Sequence, residues 1–216
     1  MLRGDGSSRI AARAPAKPLS MRDDVGMSES IGYDQTALRN AVDVAAAARR
    51  LRQLGRERSL AAVSERAWLL ESIGRLDEAL TAATEAVTLA RASGSRDRVA
   101  EARLLRASVV QTRGDLRTAL RECTALIAES RSNDWVELWA HALQQRGTVH
   151  FALHQWHDAC VDFTVAVELC READLPAEQL QAAEVALLVA TDRAQTEAIR
   201  AEQDVPRATH PIWGGR

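Results

Sequence analysis

Lysine is almost missing from this chain. Lys17 is the only one, and asparagine is confined to Asn40 and Asn133. That bias reads as the composition of a GC-rich coding sequence rather than as a binding device. Basic excess is missing as well: the formal net charge is −2 and the pI is near 6.2. This removes the strongly basic domain or stripe that usually marks a nucleic-acid binder. The three cysteines, Cys123, Cys160 and Cys170, have no C-x-x-C spacing, so they form neither a disulfide framework nor a zinc signature and fit a reducing cytoplasm. No apolar run reaches the roughly 18 residues of a membrane span, and the arginine-bearing N-terminus lacks the apolar core of a secretory signal. No P-loop, H-E-x-x-H, G-x-S-x-G or G-x-G-x-x-G occurs, and no nucleophile can be paired with a base by position. The expectation is therefore a non-enzymatic protein without cofactor or metal.

What the chain does have is a repeat. Ile73–Leu80, Arg113–Leu120 and Leu153–Cys160 superimpose at a spacing of 40 residues, a period that marks stacked units none of which can bury its apolar face alone. The aligned columns are chemically consistent. Ala67, Ala107 and Gly147 are small, as are Ala79, Ala119 and Ala159, which suits sites where helix backbones cross closely. Apolar columns run around them at helical spacing: Leu69, Val109, Val149; Leu76, Leu116, Trp156; Val87, Ile127, Val167. Each unit is read as two amphipathic helices, closed by Gly74 and by Gly114-Asp115 because glycine tolerates the left-handed backbone. His154 takes the glycine place in the third unit, so that turn is expected to be more strained or differently shaped. The periodicity predicts helices at 34–53, 58–73, 76–92, 96–113, 116–131, 134–153, 156–172 and 176–203. The first contains a partial match, Ile31–Leu38, to the repeat at a spacing of 42. Residues 1–30, rich in Gly, Ser, Pro and Arg, read as a disordered leader in which Met21 and Met27 offer later starts; residues 31–204 form the repeat domain and 205–216 a disordered tail.

The third unit, Arg146-Gly147-Thr148-Val149-His150-Phe151 followed by Trp156, Ala159, Asp162-Phe163 and Ala166, resembles the tetratricopeptide repeat. Its 40-residue period is similar to that of many bacterial regulators and sensors. Units one and two depart from the family in having Leu70 and Val110, then Ala83 and Cys123, at its aromatic places, and arginine stands at 66, 106 and 146 where leucine is commoner. The resemblance implies an all-α, right-handed α-solenoid of antiparallel helix pairs, with about three full repeats and partial flanking units. It further implies a concave groove lined by the first helix of each unit. By column, that groove would present Ser64, Trp68 and Glu71, then Leu104, Ser108 and Gln111, then His141, Gln144, Thr148 and Phe151. Trp68 and Phe151 would be its apolar contact points, with packing of Trp68 on a neighbouring helix as the alternative.

Other candidates weigh less. His150, His154 and His157 could share a metal, but His150 stands in a packing column with Leu70 and Val110, and His154 interrupts the helix before His157. Cys123 and Cys160 also fall in packing columns, and Cys170 has no evident activating partner. Arg49, Arg50, Arg52, Arg56 and Arg58 could hold a phosphate or an acidic partner, or simply complement a helix C-terminus. Trp135 and Trp139, four apart, suit packing between units better than a ligand cage. The functional expectation is a cytoplasmic adaptor or scaffold that binds a protein or peptide in the groove, with neither nucleic acid nor membrane as partner. Three alternatives stay open: a regulatory sensor that binds a small peptide or signal and switches a partner, an enzyme or metal protein built on the histidine cluster, and self-association into a homodimer.

Overall fold

The computed structural model describes residues 33–34, 39–40 and 43–203. Among them the chain is helical apart from a two-residue antiparallel ladder, β1 (Tyr33–Asp34) on β2 (Arg39–Asn40). The helices are α1 (Val44–Leu54), α2 (Leu60–Ser72), α3 (Leu76–Ala92), α4 (Arg96–Thr112), α5 (Leu116–Ser132), α6 (Val136–Ala152), α7 (Trp156–Glu172) and α8 (Ala177–Gln203). Each packs on the next in sequence, and the result is an all-α, solenoid-like stack. The helix from 58 onward and its successors lie where the periodicity puts them. The expected helix over 34–53 does not: Arg39–Asn40 is paired in the ladder, and α1 starts only after Asp43, whose carboxylate accepts from the Ala45 and Ala46 N–H groups. Positions 35–38 and 41–42 of that expectation, the leader and the tail lie outside the described residues.

The period has a simple origin. From α3 to α7 every helix has 17 residues, about 25 Å of rise, and three-residue turns join them. Each of these turns, like the three-residue α2–α3 turn and the four-residue α7–α8 turn, holds one residue in the left-handed region: Gly74, Gly114 and His154 in one series (φ 79°, 92° and 60°), Gly94, Asp134 and Asp174 in the other (φ 71°, 56° and 49°). In five of these six turns the N–H of the next residue reaches back to the carbonyl five positions earlier: Arg75 to Leu70, Asp115 to Val110, Trp135 to Ser130, Gln155 to His150 and Leu175 to Cys170, all at 2.9 to 3.2 Å. That closure satisfies a carbonyl the helix would otherwise leave unpaired. His154 therefore keeps the shape of the glycine turns and carries the strain of a side chain in left-handed backbone.

The small columns are where helices meet. Ala67, Ala79, Ala119 and Ala159 have no exposure, and Ala107 is 2% exposed. At Gly147 the approach is closest: a Cβ built there would lie 2.6 Å from Cε1 of Phe163, itself fully buried. Phe163 stands in the column of Ala83 and Cys123, so unit three gives up a methyl on α6 to admit a ring from α7. The even helices also touch one another directly, α2 on α4, α4 on α6 and α6 on α8, whereas the odd helices do not among the described residues. The stack thus closes up along its even side. Trp135 packs against Ala100, Leu126 and Leu138, and Trp139 against Ala140, Leu143 and Cys170 with the Arg131 guanidinium 5.8 Å above its ring, as residues that join units. Among the described residues no helix is long and apolar enough to cross a membrane.

Two substitutions test this geometry. In an ordinary helix interior Gly→Ala stabilises, but Gly147→Ala is expected to destabilise by about 1–3 kcal/mol through overpacking on Phe163. Urea unfolding of Gly147→Ala/Phe163→Leu should show a loss smaller than the sum of the two single variants. His154→Gly is expected to stabilise by about 0.5–1 kcal/mol, the released strain being partly offset by the lost ring contact with Trp156; a lower melting temperature would refute this account of the turn.

Candidate functional site

The even helices carry the ten residues expected on the groove, and the structure uses them unequally. Glu71, Gln111 and Phe151 share one column, and each ties its helix to the next even one. The hydroxyls of Ser108 and Thr112 on α4 lie 2.8 and 2.6 Å from one Glu71 carboxylate oxygen. Gln145 on α6 donates through its amide to the Gln111 side-chain oxygen. Phe151 is buried, meets Trp156 edge-on at 4.8 Å and shares a cluster with Ala186 and Ala190 of α8. Phe151, expected as an apolar contact point for a partner, is instead turned into the core.

The other positions divide by depth. Ser64 is 2% exposed, and its hydroxyl has no hydrogen-bond partner among the described residues. Trp68 is half-buried and packs with Ala47, Leu54 and Leu69, so α1 covers much of the ring. Leu104 is half-buried against Ala100, Leu138 and Ala142. His141 is exposed, while Gln144 and Thr148 are half-buried, the Thr148 hydroxyl donating to the Gln144 carbonyl at 2.9 Å. The surface that stays accessible on the even side is therefore centred on α6.

Beside it lies an acidic group that the sequence reading missed. Glu101 on α4 is half-buried, and burial, reinforced by Asp97 and Glu137, pushes its carboxyl up to about 7. Burial also raises Glu137. A signal existed: Asp97 and Glu137 share a column, Glu101 follows Asp97 by one helical turn, and His141 occupies the column of Glu101.

On the odd side the arginine column finds carboxylates. Arg146 grips Asp162 with two hydrogen bonds of 2.8 and 2.6 Å, and Asp162 is 2% exposed. Arg106 reaches Glu122, in the same column as Asp162, at 3.4 Å, and Arg103 bridges Glu122 and Glu129 at 2.8 and 2.7 Å. A buried pair of this kind specifies how two helices register more than it adds net stability. The histidines have three separate environments: His150 contacts Gln155 at 2.7 Å and faces Asp162 at 3.8 Å, His154 packs on Trp156, and His157 is exposed. The Cys123 thiol is fully buried and pushed up to about 12 by burial, which leaves it protonated and unreactive at neutral pH. Cys170 is buried and raised in the same direction, and the Cys160 sulfur lies 3.8 Å from the Thr191 hydroxyl.

Neither the protein-family models nor the curated proteins contain a match to this chain. The functional reading therefore rests on its own geometry.

Glu101 supplies a pH test. The folded chain holds this proton well above the ordinary value of 4.5, so its stabilising contribution is complete below that value and is lost as pH rises through about 7. Glu101→Gln is expected to stabilise the chain at pH 8, by roughly 1–3 kcal/mol, and to change little at pH 4. Thermal melts at the two pH values give the comparison, and an equal effect at both would exclude a raised carboxyl.

Proposed function

We propose that this chain is a non-catalytic interaction protein of the tetratricopeptide-like kind, an adaptor whose even-helix face receives a peptide or a protein segment. The observation that carries this reading is the division of labour on that face. Glu71, Gln111 and Phe151 hold successive even helices together, while the neighbouring columns put Leu104, His141, Gln144 and Thr148 within reach of the surface. A row of side chains carried on rigid, mutually fixed helices is pre-organised, so little ordering entropy opposes the docking of an extended or helical segment. The polar character of His141, Gln144 and Thr148 favours a partner that offers backbone or side-chain hydrogen bonds along an apolar seam at Leu104.

The test uses the intact chain as bait in extract of its own cells, beside His141→Ala/Gln144→Ala. His141 is exposed and Gln144 half-buried, and neither belongs to a buried apolar cluster, so circular dichroism should be unchanged. The expected outcome is that the partner captured by the parent is lost from the variant, because truncating central interface residues commonly costs more than about 1 kcal/mol each. Equal capture by both proteins would remove the even face from consideration.

A further inference from the structure

We infer that the α1–α2 turn forms a binding site for a phosphate-bearing ligand, distinct from the even-helix face and sharing no residue with it. The arginine column is not equally partnered in the three units. In units two and three the arginine has a carboxylate 16 residues on, Glu122 for Arg106 and Asp162 for Arg146. In unit one that place is Ala82, 6% exposed. Arg66 consequently makes no ion pair among the described residues and donates instead to two main-chain carbonyls of the turn, those of Gly55 at 3.2 Å and Glu57 at 2.8 Å.

Around it the turn adds more charge of the same sign. Gly55, Arg56, Arg58, Arg66 and Glu85 line a shallow, open cleft of about 560 Å³. Arg56 and Arg58 are exposed and form no ion pair or hydrogen bond with any described residue. The nearby Glu57 carboxylate accepts from the Ser59 hydroxyl at 2.8 Å and is not part of the lining. The lining thus holds three arginines and one acidic residue, Glu85. Like charges gathered in one cleft repel, and an anion with several acceptor oxygens relieves that repulsion while taking forked hydrogen bonds from each guanidinium. A phosphoryl group, with up to two negative charges and three terminal oxygens, matches this better than a single carboxylate. Arg66 is already fixed by its two carbonyl contacts, so the least mobile of the three donors needs no further ordering. Gly55, in left-handed backbone at φ 49°, lets the turn bring Arg56 and Arg58 to the same side as Arg66.

The test is calorimetric titration of the full chain at low ionic strength, where screening is weak, with inorganic phosphate and with O-phosphoserine as separate ligands. Saturable one-to-one binding is expected for at least one of them. A preference for phosphoserine assigns the site to a phosphorylated side chain, and a preference for inorganic phosphate assigns it to a free phosphate. Arg56→Gln/Arg58→Gln should weaken binding by about tenfold or more. Ala82→Glu should do the same with every arginine intact, because it supplies unit one with the carboxylate that units two and three possess. Glu85→Gln, which deletes the one negative charge in the lining, should tighten binding. Absence of saturable binding up to roughly 10 mM ligand, a concentration that any specific site should reach, overturns the proposal. So does an unaltered affinity in Arg56→Gln/Arg58→Gln, whatever the behaviour of Ala82→Glu. Partner capture through the even face is a separate readout, so either reading can fail without the other.

Discussion

Two helices can bury a common apolar face only if their backbones come close, and the rest of this structure depends on the side chains that permit it. Alanine stands without exposure at 67, 79, 119 and 159, and Gly147 goes further by giving its methyl volume to the Phe163 ring. Shape at these crossings sets the depth to which one helix sinks into the next, and that depth decides which neighbouring positions are buried. The pairing of Gly147 with Phe163 shows the constraint at one crossing: the Phe163 ring has room only because residue 147 carries no Cβ.

Turns and charges then fix how the crossings repeat. A left-handed residue in each three-residue turn reverses the chain within one helix diameter, and the carbonyl five positions back receives the closing N–H in nearly every case. Because this backbone geometry is needed, His154, Asp134 and Asp174 adopt it despite their side chains. The arginine column adds a second registration between the two helices of a unit, strongest at Arg146 and Asp162, where a buried carboxylate makes any other alignment leave a charge unpaired. Unit one lacks this device and uses Arg66 to hold the α1–α2 turn instead. The same side chain thus changes from an internal brace to the floor of a basic cleft through the identity of one alanine.

The even-helix face follows from the stacking. Since α2, α4, α6 and α8 approach one another while the odd helices stand apart, residues on the even side are the ones that bridge units. Glu71, Gln111 and Phe151 show that one column can couple successive helices by quite different chemistry, a carboxylate with two hydroxyls, an amide pair and an aromatic ring on alanines. This coupling occupies part of the surface that the family resemblance implied for a partner. What it leaves accessible is concentrated on α6, beside Glu101, whose carboxyl is pushed up to about 7 by burial and by the neighbouring Asp97 and Glu137.

Much of this was legible beforehand for a physical reason. A period of two equal helices and two equal turns writes itself into every column, so seven of the helices and the small crossings at 67, 107 and 147 could be read from spacing alone. The start of the first helix was misread: the partial match at Ile31–Leu38 carries the repeat pattern, but Arg39–Asn40 pairs in the ladder and Asp43 caps α1 only after it. Columns report which residues are equivalent, and they cannot report what a side chain meets across the stack. The turn of Phe151 into the core, the Ser64 hydroxyl that meets no partner among the described residues, the shielding of Trp68 by α1 and the gathering of Arg56, Arg58 and Arg66 around one cleft depend on contacts between helices. Sequence by itself determined the units and their backbone, because helix period and turn closure are local. Only the tertiary structure decided which polar and charged groups are satisfied internally and which are left facing outward, because that balance is struck between helices.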